Sequence, residues 1–266
     1  MLTLASDFGS PYPAAMKGVL LDRLGDVTLV DVAHDFPRQD VRAAAFWLRE
    51  TLPYFPPAVH LAVVDPGVGT DRAALAVRVG DHALVGPDNG LLLPPARRLA
   101  ARQGGDESDV KVFDVAYDDP DSHTFHGRDV FAPAAADVHA VGVDALDGID
   151  RLTPVGDDDY VDLAFPEATV GREDGGDTAT VATGEVLVVD DFGNAITNVP
   201  GDVLTDREEV TVNGERVPVG DAFAAVPEGD RLLTVGSHGY VECDVNRGRG
   251  DEAFGLARGD TVRLEL

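Results

Sequence analysis

Residues 122–136, SHTFHGRDVFAPAAA, set His123, Thr124, His126, Arg128 and Asp129 around Gly127, just ahead of an alanine-rich run. Entry into a helix needs a cap and a glycine. Two imidazoles, a guanidinium and a carboxylate are more than that. Thr124 or Asp129 can supply the cap and Arg128 can pair with a carboxylate. His126 stands at the helix entrance, where the positive end of the peptide dipoles disfavours an imidazolium. A neutral imidazole is the form a general base requires. The expectation is a proton acceptor at His126.

Other stretches carry polar groups at strand ends. VVDPGVGTDR (63–72) closes an apolar run with Asp65 and places Arg72 across a Gly-rich turn. It reads equally as a β-turn capped by Asp65 or as backbone opened to a ligand by two glycines. GPDNG (86–90) reads as turn chemistry. In DDFGNAITN (190–198), Asp190 and Asn194 either shape a turn between strands or read a nucleobase, whose donor–acceptor edge an Asn amide matches. SHGYVECDVN (237–246) puts Ser237, Glu242 and Asn246 on or beside a strand that is otherwise a solvated face. Cys243 reads as a small buried hydrophobe and Trp47 as core. The remaining histidines show no metal-ligand spacing, and no HExxH, CxxC, Walker loop or GxGxxG occurs, so no metal site is expected.

These groups need a scaffold. In the first half, strand-like runs at 2–6, 27–32, 59–65, 74–79, 82–86 and 110–115 alternate with helical runs at 13–25, 38–52, 91–103 and 129–140. The order predicts an α/β domain with a mostly parallel sheet sandwiched by helices over 1–155, which binds ligands at the carboxyl ends of its strands. Asp7, His34, Asp65 and Asp88 all fall just after such strands. Composition turns to Asp and Gly across 142–178, and 156–178 reads as a linker with a partly ordered edge. From 179 to 266, short alternating runs punctuated by Gly and Asn-Gly predict a smaller all-β, barrel-like domain.

Composition narrows the function classes. With 48 acidic against 21 basic residues the formal charge is −27, and Lys17 and Lys111 are the only lysines. Such a field repels a phosphate backbone, so nucleic-acid binding is disfavoured. A hydrophobic content of 44% argues against disorder. The remaining reading is a halophilic acidic protein, in which molar salt screens self-repulsion. No apolar run approaches the length of a membrane span. MLTLASDFG lacks a basic n-region, and one cysteine forms no internal disulfide, so a cytoplasmic location is expected.

Taken in order, SDFG…MKGVL, DVAHDFP-x-QDVRAAA, VHLAVVDPGVGT-x-R, VGPDNGLL, TFHGRDVFAPAAA, VVDDFGNAITN and HGYVE…N resemble the S-adenosyl-L-methionine hydroxide adenosyltransferases. These are hydrolytic relatives of the fluorinating and chlorinating enzymes. The resemblance spans nearly the whole chain and is weakest across 142–178. It implies an α/β domain, a β-domain, and a homotrimer with active sites between subunits. The implied reaction is attack of water or hydroxide on ribose C5′ of S-adenosyl-L-methionine (SAM), giving adenosine and methionine. SAM is the substrate, and no cofactor or metal is implied.

The family's Asp-Arg-His set falls on Asp65, Arg72 and His126. By this resemblance, His126 accepts the water proton, Asp65 orients the imidazole or the water, and Arg72 stabilises developing hydroxide. Asp7 matches the aspartate that holds the ribose hydroxyls. Asp190 and Asn194 match positions near adenine and the ribose or sulfonium end. Ser237 and Glu242 match contacts to the amino-acid or base end, with Val245 and Asn246 closing over adenine. Gln39 stands where the halogenating relatives carry an aromatic. The SPYP loop (10–13) is shorter than in the family and carries no acid, which leaves Tyr12 to close the methionine end. The alternatives are a chloride-dependent adenosyltransferase, a non-catalytic adenosine- or SAM-binding protein, and a metal-assisted phosphoesterase using Asp65, Asp88 and His126.

Overall fold

A computed structural model describes residues 1–117, 122–156, 158–172 and 180–266. The chain divides into two compact units, Met1–Ala164 and Phe165–Leu266. Most of the acidic GREDGGD run read as linker lies outside the described residues, as does Asp157.

The first unit runs β1 (Leu2–Ser6), α1 (Tyr12–Leu24), β2 (Leu29–Ala33), α2 (Val41–Thr51), β3 (Val59–Val63), β4 (Ala74–Val79), β5 (His82–Pro87), α3 (Leu93–Arg102), β6 (Val110–Val115), α4 (Ala132–Val141) and β7 (Leu152–Pro154). Every residue of β1 and of β3 is buried, the polar Thr3, Ser6 and His60 included, so both faces of these strands are covered. Helix α2 starts where the Asp40 carboxylate accepts from the Ala43 N–H at 3.0 Å. Helix α1 stops at Gly25, whose φ of +70° favours a residue without Cβ. Met16 and Leu20 of α1 share one core with Leu2, Leu4, Leu61 and Val63 and with the small residues Ala132, Ala134 and Ala135 at the start of α4. Pro133 is the second residue of α4, directly after the π-helical turn Gly127–Phe131.

The sheet order is β2-β1-β3-β5-β4-β6-β7. It is mixed, which corrects the expectation of a mostly parallel sheet. The pairs β1–β2, β1–β3 and β3–β5 are parallel. The pairs β4–β5, β4–β6 and β6–β7 are antiparallel. The cause is the two-residue Gly80–Asp81 connection. A link that short can only make a hairpin, and the crossover a parallel pair needs is far longer. The reversal matters for the site. Ala74 at the start of β4 pairs with Pro87 at the end of β5, and Asp114 near the end of β6 pairs with Leu75. The segments before β4 and after β6 therefore emerge at the same sheet edge as the carboxyl ends of the parallel strands.

The second unit holds β8 (Thr169–Arg172), β9 (Thr180–Val189), β10 (Ala195–Pro200), β11 (Glu209–Val212), β12 (Glu215–Pro218), β13 (Arg231–Val235), β14 (Tyr240–Val245), a short α5 (Gly250–Phe254) and β15 (Thr261–Glu265). Strand order is β12-β11-β15-β9-β10-β14-β13, with β8 on β9. The two ends nearly meet: Val219 bridges Leu233, and the Gly220 N–H donates to the Leu233 carbonyl at 3.0 Å. The sheet is thus almost a closed barrel around Val186, Val199, Val241, Cys243 and Val262. Asn213 and Gly214, both at positive φ, make the hairpin turn between β11 and β12. Burial pushes the Cys243 thiol up, with Asp244 and Glu242 adding to the shift.

Candidate active site

Asp65, Arg72 and His126 come together at that sheet edge. Asp65 follows β3, Arg72 precedes β4, and His126 opens a wide π-turn, Gly127–Phe131, that leads into α4. Arg72 binds Asp65 through two parallel bonds, Nε to Oδ1 at 2.9 Å and Nη2 to Oδ2 at 2.5 Å. Its Nη2 also lies 3.3 Å from Nδ1 of His126, and Nη1 donates to the Ala73 carbonyl. The guanidinium sits 5.0 Å from the centre of the Phe131 ring. Asp65 therefore reaches His126 through Arg72. A guanidinium has hydrogens only to give, so the Nδ1 facing it is the lone-pair nitrogen of a neutral imidazole.

The electrostatics agree with a neutral imidazole. His126 is 3% exposed. Burial is the main cause holding its pKa below the ordinary histidine value, with the Arg72 charge acting in the same direction and Asp65 opposing. Gly127 is required by space: a Cβ there would meet Met16 Sδ at 2.9 Å and the Phe125 ring at 3.1 Å. Gly69, at φ +81°, has another reason to lack a side chain, since a Cβ would stand 2.9 Å from the His123 carbonyl oxygen. That glycine of the VVDPGVGTDR turn clears the backbone of the histidine loop.

A cleft of about 520 Å³ opens beside these groups and is lined by Asp7, Phe8, Tyr12, Asp65, Phe125 and His126, with Arg38 and Arg128 also at its walls. Asp7 accepts from the Gln39 N–H at 2.6 Å, and Gln39 takes φ +61° to present it. Arg128 pairs with Asp129, Nε to Oδ1 at 2.5 Å and Nη2 to Oδ2 at 2.7 Å. Asp88 lies away from this arrangement in its bonding, because its Oδ1 accepts from the Val161 N–H at 2.8 Å. Asn89 ties the same turn to the Val64 carbonyl and the Leu91 N–H, so GPDNG is structural. Among the described residues no cluster of three or more His, Cys, Asp or Glu is placed to hold a metal ion.

The remaining expected site residues lie in the second unit. Asp190 shapes the β9–β10 turn: Oδ1 accepts from the Phe192 and Asn194 N–H groups at 3.0 and 2.8 Å, and Oδ2 accepts from Asn194 Nδ2 at 2.9 Å. One of the two Asn194 amide hydrogens is thus engaged by Asp190. Glu242 is buried, and its pKa is pushed up to about 7 by burial and by the charges of Asp244 and Asp190. Ser237 is exposed in the β13–β14 turn and Val245 is buried at the end of β14. Asn246 donates from Nδ2 to the Val226 carbonyl at 2.7 Å.

Sequence reading missed three neighbours of these groups. Tyr117 follows β6, donates to the Arg72 carbonyl at 3.2 Å and packs its ring 6.0 Å from that of His126. Asp244 is fully buried beside Glu242, accepts from Thr234 Oγ1 at 2.6 Å and leaves Oδ1 without a partner among the described residues. The signal was the i, i+2 spacing of Glu242 and Asp244, which puts both acids on one face of β14. Phe192 is 79% exposed in the Asp190 turn, an apolar ring where a turn needs none.

The mixed α/β unit and the small barrel that follows it in the chain each match one domain of a single enzyme family. The model of the SAM hydroxide adenosyltransferase N-terminal domain matches residues 2–147, that of the C-terminal domain matches 184–263, and the chain belongs to this family. It is 44% identical over 268 residues to a protein of Thermus thermophilus named (R)-S-adenosyl-L-methionine hydrolase, covering 97% of each chain. A protein of the same name from Salinispora tropica is 40% identical, over 99% of this chain and 97% of the other. The crystal structure of an uncharacterized conserved protein from Thermotoga maritima superposes with a TM-score of 0.79 at 29% identity, covering all of both chains.

Proposed function

We propose that this protein hydrolyses SAM to adenosine and methionine by attack of water on ribose C5′. The observation that carries the proposal is the Asp65–Arg72–His126 chain at the sheet edge, beside a cleft that also holds Asp7. The contact between Arg72 Nη2 and His126 Nδ1 is long for a hydrogen bond, at 3.3 Å. When a water takes the place of this direct contact, its oxygen accepts from Nη2 and one of its hydrogens is donated to the Nδ1 lone pair that Arg72 releases. As its oxygen bonds to C5′, the proton passes to Nδ1, the C5′–S bond breaks, and its electron pair stays on sulfur as neutral methionine. A sulfonium leaves without protonation, so the protein's work is alignment, deprotonation and charge stabilisation.

In this reading Asp65 acts by fixing the Arg72 fork and Asp7 holds the ribose hydroxyls. Asp190, Asn194, Ser237, Glu242, Val245 and Asn246 contact the adenine and amino-acid ends. The exposed ring of Phe192 offers a base a stacking face. The proposal includes the family's homotrimer with active sites between subunits, a cytoplasmic location suited to a single buried free cysteine, and turnover without metal or cofactor. Product analysis in molar chloride tests it: the expected result is equimolar adenosine and methionine, unchanged by chelator. 5′-Chloro-5′-deoxyadenosine would establish the halide reading, and tight SAM binding with no methionine release would establish a binding protein.

A further inference from the structure

Three aromatic rings meet at the mouth of the cleft. Phe8 and Tyr12 lie 6.2 Å apart at 83°, Phe8 and Phe125 6.0 Å apart at 88°, and Tyr12 and Phe125 5.4 Å apart at 87°. Three mutually perpendicular planes make a corner, and all three residues line the cavity that holds Asp65 and His126. Phe8 is held in place where Ser6 Oγ donates to its carbonyl at 3.1 Å. Phe125 carries the Arg128 guanidinium 5.3 Å from its ring centre, so this corner already attracts one cation of the chain. Tyr12 is the open wall, with 55% of its surface exposed.

Few free negative charges face the corner. Asp65 is neutralised by the Arg72 fork and Arg128 is paired with Asp129, so that Asp7, which accepts from the Gln39 N–H, is the remaining carboxylate among the lining residues, and Arg38 adds positive charge to the same walls. The segment from Phe8 to Lys17 contains no acidic residue. Aromatic faces attract cations through their quadrupole, and rings set at right angles are the arrangement that recognises onium groups. Such a contact suits a salt-rich solvent, since a desolvated ring face is screened less than an exposed ion pair.

We propose that Tyr12, buttressed by Phe8 and Phe125, is the specificity-determining residue that selects a sulfonium over a neutral thioether. The inference rests on the SAM reading above and adds to it the device that reads the substrate's charge. Displacement places the leaving sulfur on the far side of C5′ from the water at Arg72 and His126. As the C5′–S bond breaks, the positive charge on sulfur disappears. The ring contact is therefore stronger in the bound substrate than in the transition state, so its loss raises KM and does not lower kcat.

The test measures binding of SAM and of S-adenosylhomocysteine by calorimetry, together with turnover, for the wild type, Tyr12→Phe and Tyr12→Leu. The expected result is a SAM affinity about tenfold weaker in Tyr12→Leu, with thioether affinity changed less than about twofold and kcat not reduced. Tyr12→Phe keeps the wild-type preference. Equal weakening of both ligands, unchanged SAM affinity in Tyr12→Leu, or a fall in kcat at constant KM overturns the proposal. The binding arm is independent of hydrolysis: a wild type that releases no methionine but loses its sulfonium preference in Tyr12→Leu refutes the hydrolase reading and upholds this one.

Discussion

Arg72 is the residue on which the account turns. It binds Asp65 with two nitrogens, reaches His126 with one of the same two, and rests on Phe131. A lysine there keeps the charge but cannot span both partners. Arg72→Lys is expected to lower kcat about 10²-fold or more with the fold intact, the usual cost of one donor to developing negative charge. His126→Ala is expected to cost about 10²- to 10⁴-fold. The pH profile follows from the direction of the His126 shift. Burial and Arg72 hold its pKa below the ordinary value of about 6.5, so it is neutral and competent at neutral pH. Activity should fall only on acidification through that lowered value. Steady-state kinetics across the acid range check this, and an acid limb at or above the ordinary histidine value would count against His126 as the acceptor.

At the scale of elements, the sheet explains both what the sequence shows and what it hides. Strand positions 74–79 and 110–115 are legible because ALAVRV and VKVFDV are short runs rich in apolar and β-branched residues, and both strands occur as expected. The mixed topology is also written in the sequence, at Gly80–Asp81, but an overall βαβ rhythm masks it. The convergence of Asp65, Arg72 and His126 depends on β4 running backwards, which no local pattern states. Tyr117 escapes for the same reason, since its role exists only once β6 ends beside the start of β4. The wide turn at Gly127–Phe131 delays the start of α4 to Ala132, three residues beyond the helical run read from position 129, because a π-turn leaves no periodic signature.

The same sheet carries an acid-sensitive element near the amino-terminal ends of its parallel strands, opposite the end that holds the site. His60 on β3 bonds to Thr3 Oγ1 on β1 at 2.8 Å, and through Nε2 to Nδ1 of His82 on β5 at 2.9 Å. Burial drives the His60 pKa down to about 3, with His82 adding to the shift, and burial also lowers that of His82 against the charge of Asp81. The folded chain keeps His60 neutral, whereas the unfolded chain protonates it below about pH 6.5. Stability is therefore full above that pH and is lost progressively as pH falls from there toward 3. For His60 alone the loss by pH 5 is about 2 kcal/mol. Urea unfolding at pH 7 and pH 5 measures it, and a double variant His60→Val with His82→Val should lose less on acidification than the wild type.

At the scale of the whole molecule, the charge of −27 dominates. Many of its arginines are engaged in surface pairs such as Arg97–Asp162 and Arg249–Asp251, which salt weakens. The larger effect of salt is to screen the uncompensated acidic excess, which otherwise favours expansion. The melting temperature should rise as potassium chloride increases from low to molar concentration, as thermal scans can show, and a flat or falling trend would contradict the salt-adapted reading. Molar chloride also sharpens the chemical question, because it offers the site an abundant rival nucleophile. The most direct test of the account is turnover of SAM in ¹⁸O-labelled water with high chloride, followed by mass spectrometry of the nucleoside. The account predicts one labelled oxygen in the 5′-hydroxyl of adenosine; adenosine without label, or a chlorinated nucleoside in its place, would contradict it.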